Sequence, residues 1–279
     1  MNDDAPPPSE PPAEASRTAD LAALGPFFAA EEHRADSGTG APWRSMGELA
    51  DGGPALGDRV AGVRRYLAAA GGREAEAVEP RVAASVAHLG LVARVLSPTL
   101  ALAVLRGEVA AGLRLADLRW QPVLGGPFPL SLPHAPQDTA QDTDQDTAPG
   151  VPAGGDGPAA ALARHLLDGP VRELADAFAP FKVSPHILWG NTASALNGAV
   201  GMLAAARPAD AGRVRSLAAL LLDRPPLRGT STGARTGAPG APGAPFRRRS
   251  CCLIYRAAPG GAGGLCGDCV LAPVVSAPR

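Results

Sequence analysis

The chain has 279 residues, which is enough for one large domain or two small ones with a sizeable core. Hydrophobic residues make up 46% and charged residues 19%, so most of the chain can fold, while 34 glycines and 30 prolines indicate that low-complexity runs separate the ordered segments. The net charge of −1 excludes a general nucleic-acid binder and a polybasic membrane-surface protein.

Residues 1–15 are rich in proline and acidic side chains, and we expect them to be disordered because they have nothing bulky to bury. They carry neither the basic start nor the apolar stretch of a secretory signal. The uncharged stretch 187–206 is long enough to cross a membrane, yet its amides and hydroxyls would need partners in lipid. We therefore interpret it as a core helix and predict a cytoplasmic protein without an integral membrane span.

The N-terminal part of the chain is predicted to be helical, with one extended piece. A short helix over 17–24 should end at Gly25-Pro26, and an extended segment should then run towards His33. Helical spacing returns after Ser45, on the apolar positions Val60, Val63, Tyr66 and Leu67. A longer helix should open at Glu79-Pro80, and Ser97-Pro98 is expected to break it before residues 100–105 resume it.

Further along, residues 118–124 and 128–132 predict two short strands around a Gly-Gly-Pro turn. Three helices are expected over 158–179, 184–206 and 208–222. The predicted fold class is α+β, mainly helical, with a small β element near 118–132. The predicted divisions are an N-terminal half (16–132), a low-complexity linker (133–157), a helical half (158–228), a flexible Gly/Pro tether (229–245) and a cysteine-rich tail (246–279).

All four cysteines of the chain lie in this tail, with the spacing C-C-x13-C-x2-C: Cys251, Cys252, Cys266 and Cys269. Four thiols so close together in a cytoplasmic protein indicate a metal site. A structural zinc site usually separates the two ligands of a pair by two to four residues, and adjacent cysteines do not reproduce that geometry. They are better suited to a [2Fe-2S] cluster, although zinc, a disulfide and inert thiols stay open as alternatives on spacing alone.

The tail also resembles a known family. The segments RRSCCLIYR (248–256) and LCGDCVL (265–271) are similar to the C-terminal signature of the FhuF-type ferric siderophore reductases. Three upstream segments are similar to actinobacterial members: PRVAAS (80–85), WQPVLGGP (120–127) and LWGNTASAL (188–196). The spacer between the two cysteine pairs is longer than is usual in the family, and the extra residues fall in the Gly/Pro loop 257–264.

The resemblance implies that the four cysteines hold a [2Fe-2S] cluster, which reduces siderophore-bound iron(III) to iron(II) by one electron and so releases the iron. The implied partners are a ferric siderophore and an unidentified reductant or electron-donor protein. A loose association with an uptake transporter is compatible with that role, and nucleic acid is not expected. The alternatives are a non-enzymatic [2Fe-2S] electron carrier and a zinc-stabilised binding module.

Four arginines flank the first cysteine pair: Arg247, Arg248, Arg249 and Arg256. Guanidinium groups near an anionic cluster would raise its reduction potential. They could equally steer an anionic ferric complex or an acidic donor protein, or form an ordinary solvated basic run. Trp189-Gly190-Asn191 is expected to pack in the core, with Asn191 bonded to backbone, rather than to line a substrate cavity.

Overall fold

The computed structural model describes residues 16–34, 36–134, 157–233 and 246–272. The disorder predicted for 1–15, and nearly all of the predicted linker at 133–157, lie outside these residues. The described residues form seven α-helices: α1 (Arg17–Ala23), α2 (Pro54–Ala70), α3 (Pro80–Leu105), α4 (Pro158–Leu162), α5 (Pro170–Ala177), α6 (Pro185–Ala206) and α7 (Ala211–Leu222).

Helix α3 is the centre of the fold and packs mainly against α6 and α2. Its apolar residues are not confined to one stripe, so it can be buried on all sides. One continuous core joins side chains from both predicted halves, such as Leu91 and Leu100 in α3 with Leu196 and Leu203 in α6. The N-terminal and helical halves are therefore parts of a single packed body.

The predicted break at Ser97-Pro98 is wrong, because α3 runs through Pro98 to Leu105. The proline removes one backbone donor from the helix, but every residue from 94 to 104 is buried, and this packing outweighs the lost bond. The neighbouring hydroxyls also bond within the helix: Ser97 donates to the carbonyl of Ala93 and Thr99 donates to that of Val95.

A small four-stranded sheet has the order β1 (Glu31–His33), β4 (Leu130–Pro133), β3 (Arg119–Trp120) and β2 (Arg44–Ser45). The predicted strand pair near 118–132 is β3 and β4, which are antiparallel with Trp120 opposite Leu130. The sheet is larger than predicted because β1 adds in parallel to β4 and β2 adds antiparallel to β3. The mainly helical α+β fold class is confirmed.

The segment around 158–179 is not one helix. A π-helical stretch, Ala163–Leu167, follows α4, and Gly169 separates it from α5. In α2, Val60 and Val63 are buried as predicted, but Tyr66 is exposed.

The prediction of a flexible tether over 229–245 is wrong for its first residues, which include a paired strand. Strand β5 (Ser231–Thr232) pairs antiparallel with β6 (Arg247–Arg248), with Ser231 opposite Arg248. Phe246, the first described residue of the tail, is buried in the main core. The start of the cysteine-rich tail is therefore attached to the body at two places, through the β5–β6 pairing and through the burial of Phe246. Residues 234–245 lie outside the described part of the chain.

One helix in the described part, α3, is long and apolar enough to span a membrane by length and composition. About four-fifths of its apolar window (78%) is buried inside the protein, as expected for the central helix of a packed domain. Helix α6, the segment weighed as a span from the sequence, likewise buries eleven of its residues in this body.

Candidate metal centre

The four cysteines lie on two turns of the tail. Cys251 and Cys252 precede Leu253, whose φ of 70° bends the chain sharply. Cys266 and Cys269 close a turn in which the Cys269 amide donates to the Cys266 carbonyl at 3.0 Å. Backbone amides also point at two sulfurs, since the Leu253 N–H donates to Cys251 Sγ at 3.3 Å and the Leu271 N–H donates to Cys269 Sγ at 3.4 Å.

The sulfurs are arranged as two crossed pairs. The Sγ atoms of Cys252 and Cys266 are 3.7 Å apart, and Cys251 interacts with Cys269. Each pair thus takes one sulfur from the Cys-Cys dipeptide and one from the C-x2-C turn. Cys252 and Cys269 are buried, whereas Cys251 and Cys266 are half-buried, and all four are free thiols. Among the described residues, no three His, Cys, Asp or Glu side chains converge on a position for a single metal ion.

The environment of the sulfurs shifts the pKa values of three of the cysteines, in opposite directions. The pKa of Cys252 is lowered to about 5, first by the hydrogen bond with Cys266 and further by the Ile254 amide and the Arg248 guanidinium. The pKa of Cys266 is raised because it holds the proton shared with Cys252. Burial raises the pKa of Cys251. Such opposite pKa shifts are expected for thiols that lie close together and share protons. A metal centre would hold all of them deprotonated.

Arg248 is the charged residue closest to the sulfurs. Its side chain has no solvent exposure, and its Nη2 group donates to Cys266 Sγ. The same Nη2 lies 3.3 Å from Asp268 Oδ1, and the Arg248 backbone N–H donates to the Asp268 carbonyl at 3.0 Å. A guanidinium withdrawn from water in this way needs anionic or acceptor groups on every side. Its Nε is buried without a partner in the described structure, so one donor is still available beside the sulfurs.

Helices α3 and α6 hold this guanidinium in place. Arg248 Nη1 donates to Asn191 Oδ1 at 2.9 Å, and Asn191 Nδ2 donates to the Ser85 carbonyl at 3.0 Å and to Ser85 Oγ at 3.2 Å. On the other side, Ser194 donates to Asp268 Oδ2. We call these five residues, Ser85, Asn191, Ser194, Arg248 and Asp268, the buried polar network. It links the cysteine turns to the two longest helices of the body.

Close packing supports the same attachment. Gly190 lies beneath Ser250, and a Cβ atom at position 190 would come within 2.1 Å of Ser250 Oγ. The Trp189-Gly190-Asn191 segment therefore serves the tail directly, through a glycine that allows close approach and an amide that binds Arg248. The expectation that Asn191 bonds to backbone in the core is confirmed by its bond to Ser85.

The four predicted arginines do not act alike. Arg248 does not belong to a solvent-facing steering set, and that part of the prediction is wrong because its side chain is fully buried. Arg249 is exposed, and Arg256 forms an ion pair with Glu79 at 2.5 Å. Arg247 donates to the carbonyl of Ala272. Arg249 is thus the member of this set best placed for long-range attraction of anions.

Sequence reasoning missed Asp268, Ser85 and Ser194 as parts of this site. Asp268 stands between the two cysteines of the C-x2-C turn, which was a usable signal. Ser85 and Ser194 each lie in one of the segments that resemble the actinobacterial proteins. Nothing in the local pattern indicated that these serines would meet the tail.

The comparison with protein families finds a match in the cysteine-rich tail. Residues 248–271 match the model of the FhuF 2Fe-2S C-terminal domain. No curated protein and no solved structure matches the chain. The matched segment contains all four cysteines and Arg248, so the predicted resemblance and the predicted [2Fe-2S] cofactor are both confirmed.

The residues present fit that cofactor. A [2Fe-2S] cluster takes four thiolates, two on each iron, and the tail supplies four sulfurs in two pairs. The buried guanidinium and the unpartnered Arg248 Nε provide the positive charge and the donor that an anionic group requires in a low-dielectric site. The residues that would hold the cluster are Cys251, Cys252, Cys266 and Cys269.

Proposed function

We propose that this protein is a cytoplasmic ferric siderophore reductase. The observation that carries the proposal is the match of residues 248–271 to the FhuF 2Fe-2S domain, in a tail that the buried polar network joins to the helical body. A simple electron carrier needs no body of this size. We expect the substrate to be a ferric siderophore and the reductant to be a separate donor protein or cofactor.

The chemistry requires one electron and no proton transfer. A reduced [2Fe-2S] cluster held by the four cysteines would supply that single electron, which would convert siderophore-bound iron(III) to iron(II). Siderophores hold iron through hard oxygen donors, which favour the smaller and more highly charged ion. Iron(II) is therefore held more weakly and can be released without breaking the siderophore.

The chain's own residues have three tasks in this scheme. The cysteines bind the cofactor, the buried polar network fixes the turns that carry them, and the surface beside the turns admits a partner. Leu265, Val270 and Leu271 are exposed around the C-x2-C turn, and Cys266 is only half-buried. A bulky complex or a donor protein can therefore approach the sulfurs closely, and a short distance is what electron transfer needs.

Stopped-flow absorbance of the reduced protein tests the proposal. Mixing with a panel of ferric siderophores, in the presence of a ferrous-specific chelator, should reoxidise the cluster and produce the iron(II)–chelator complex in equal amounts. A cluster that stays reduced with every ferric complex, yet passes electrons readily to a redox protein, would contradict the reductase proposal and support the electron-carrier alternative.

A further inference from the structure

The feature that the proposed function leaves unexplained is the polar chain that enters the apolar core. Asn191 and Ser85 are fully buried among apolar side chains of α6 and α3, where unneeded polar groups destabilise a fold. Asn191 accepts a hydrogen bond from the guanidinium of Arg248, and Ser85 holds the other end of the Asn191 amide by accepting from its Nδ2. This arrangement suggests a task beyond packing.

The guanidinium lies between a cysteine sulfur and a carboxylate. Nη2 contacts both Cys266 Sγ and Asp268 Oδ1, whereas Nη1 is bound to Asn191. If the guanidinium moved towards Asp268, the carboxylate would neutralise more of its charge. The bond to Asn191 opposes that movement, because it fixes Nη1, and the planar guanidinium moves as one rigid group.

We propose that Asn191 is a positioning residue that holds Arg248 against the cluster-bearing sulfurs and thereby raises the reduction potential of the cluster. A reduced cluster carries one more negative charge than an oxidised one. A hydrogen bond and a positive charge at a ligand sulfur stabilise the reduced state more than the oxidised one. The helical body would then control the potential of the tail through one side chain.

The proposal rests on cluster binding and not on the reductase function. It is therefore tested by the reduction potential itself, in a spectroelectrochemical titration without any ferric substrate. Failure of the reductase proposal would leave this measurement unaffected, and failure of this measurement would leave the reductase proposal standing.

The decisive experiment is a double-mutant cycle on Asn191 and Arg248. Arg248→Gln should lower the equilibrium constant for cluster reduction by about tenfold or more, which is about 59 mV for each factor of ten. Asn191→Ala should lower it by about threefold or more, and should have no further effect in the Arg248→Gln background. Asn197→Ala is the matched control, since it makes the same change on α6 outside the buried polar network, and it should leave the potential unchanged.

Two results would overturn the proposal. One is an Asn191→Ala shift of equal size in both backgrounds, and the other is no shift in either background with iron and sulfide content intact. Should Asn191→Ala not fold, Ser85→Ala can replace it, because it removes just one of the two acceptors of the Asn191 amide. Its shift of the reduction potential is then compared between the unmodified protein and the Arg248→Gln variant. Should Arg248→Gln not load the cluster, Arg248→Lys replaces it, because an ammonium cannot bind Asn191 and the sulfur through one fork.

Discussion

Gly190 of the helical body leaves room for Ser250 of the cysteine tail. Ser250 Oγ occupies the space where a side chain at position 190 would begin, at 2.1 Å from an ideal Cβ. Ser250 is buried and its hydroxyl has no hydrogen-bond partner in the described structure. The tail is thus fitted to α6 by shape at this point and by hydrogen bonding one residue further on, at Asn191.

Gly190→Ala should loosen this attachment. Alanine favours the helix itself, but its Cβ would displace Ser250, and overpacking of this kind costs about 1–3 kcal/mol. We expect a lower free energy of unfolding in urea and a lower cluster content. Adding Ser250→Ala removes the clash and should restore both.

The matched control is Gly198→Ala, on the same helix, where nothing lies within 4 Å of the new Cβ. It should stabilise the protein by up to about 1 kcal/mol through helix propensity alone. If Gly190→Ala behaved like Gly198→Ala, the close fit between α6 and the tail would not matter for stability.

Replacement of single cysteines tests the ligand set. We expect protein purified without oxygen to contain two irons and two acid-labile sulfides per chain. Cys251→Ser, Cys252→Ser, Cys266→Ser and Cys269→Ser should each lower that content strongly, because a hard alkoxide is a poor substitute for a thiolate. Iron and sulfide analysis with the visible spectrum provides the measurement. A variant with full iron, sulfide and an unchanged spectrum would remove its cysteine from the ligand set.

Much of the fold could be predicted from the sequence. Apolar spacing and Gly/Pro boundaries located α1, α3, α6 and the β3–β4 pair, because these signals are local. The helix break at Pro98 was predicted wrongly because burial on all sides of α3 outweighs a missing backbone donor. Strand β1 lies in the extended segment predicted to run towards His33, but its pairing, like the short strand β2, depends on partners elsewhere in the chain.

The site was only partly predictable, and for the same physical reason. Four cysteines in nineteen residues are a local signal. The contacts of Arg248 are not local, because Arg248 and Asn191 are 57 positions apart in the sequence, and Asn191 in turn bonds to Ser85, 106 positions away. From the sequence, Arg248 is one arginine in a run of three. Only the fold shows that the middle one is buried and that its neighbour Arg249 faces solvent.

Arg249→Gln should separate attraction of the substrate from tuning of the cluster. Removing an exposed positive charge should slow reoxidation by anionic ferric complexes about two- to fivefold at low salt, with little change for neutral complexes. The difference should shrink as added salt screens the charge. Cluster content and potential should match those of the unmodified protein, and Arg213→Gln on the exposed side of α7 controls for net charge. Equal slowing of neutral and anionic complexes would contradict a steering role for Arg249.

His88 makes the stability of the body depend on pH. It is buried in α3 against Phe178, neither ring nitrogen has a hydrogen-bond partner in the described structure, and burial lowers its pKa to about 3 from 6.5. The unfolded chain therefore binds this proton more readily, so stability should fall as the pH drops below about 6.5, by about 2 kcal/mol at pH 5. His88→Leu should reduce that slope in urea unfolding between pH 8 and pH 5, whatever it does to stability at pH 8. His186→Gln, at an exposed histidine, should keep the slope, and an unchanged slope in His88→Leu would show that the buried ring does not control it.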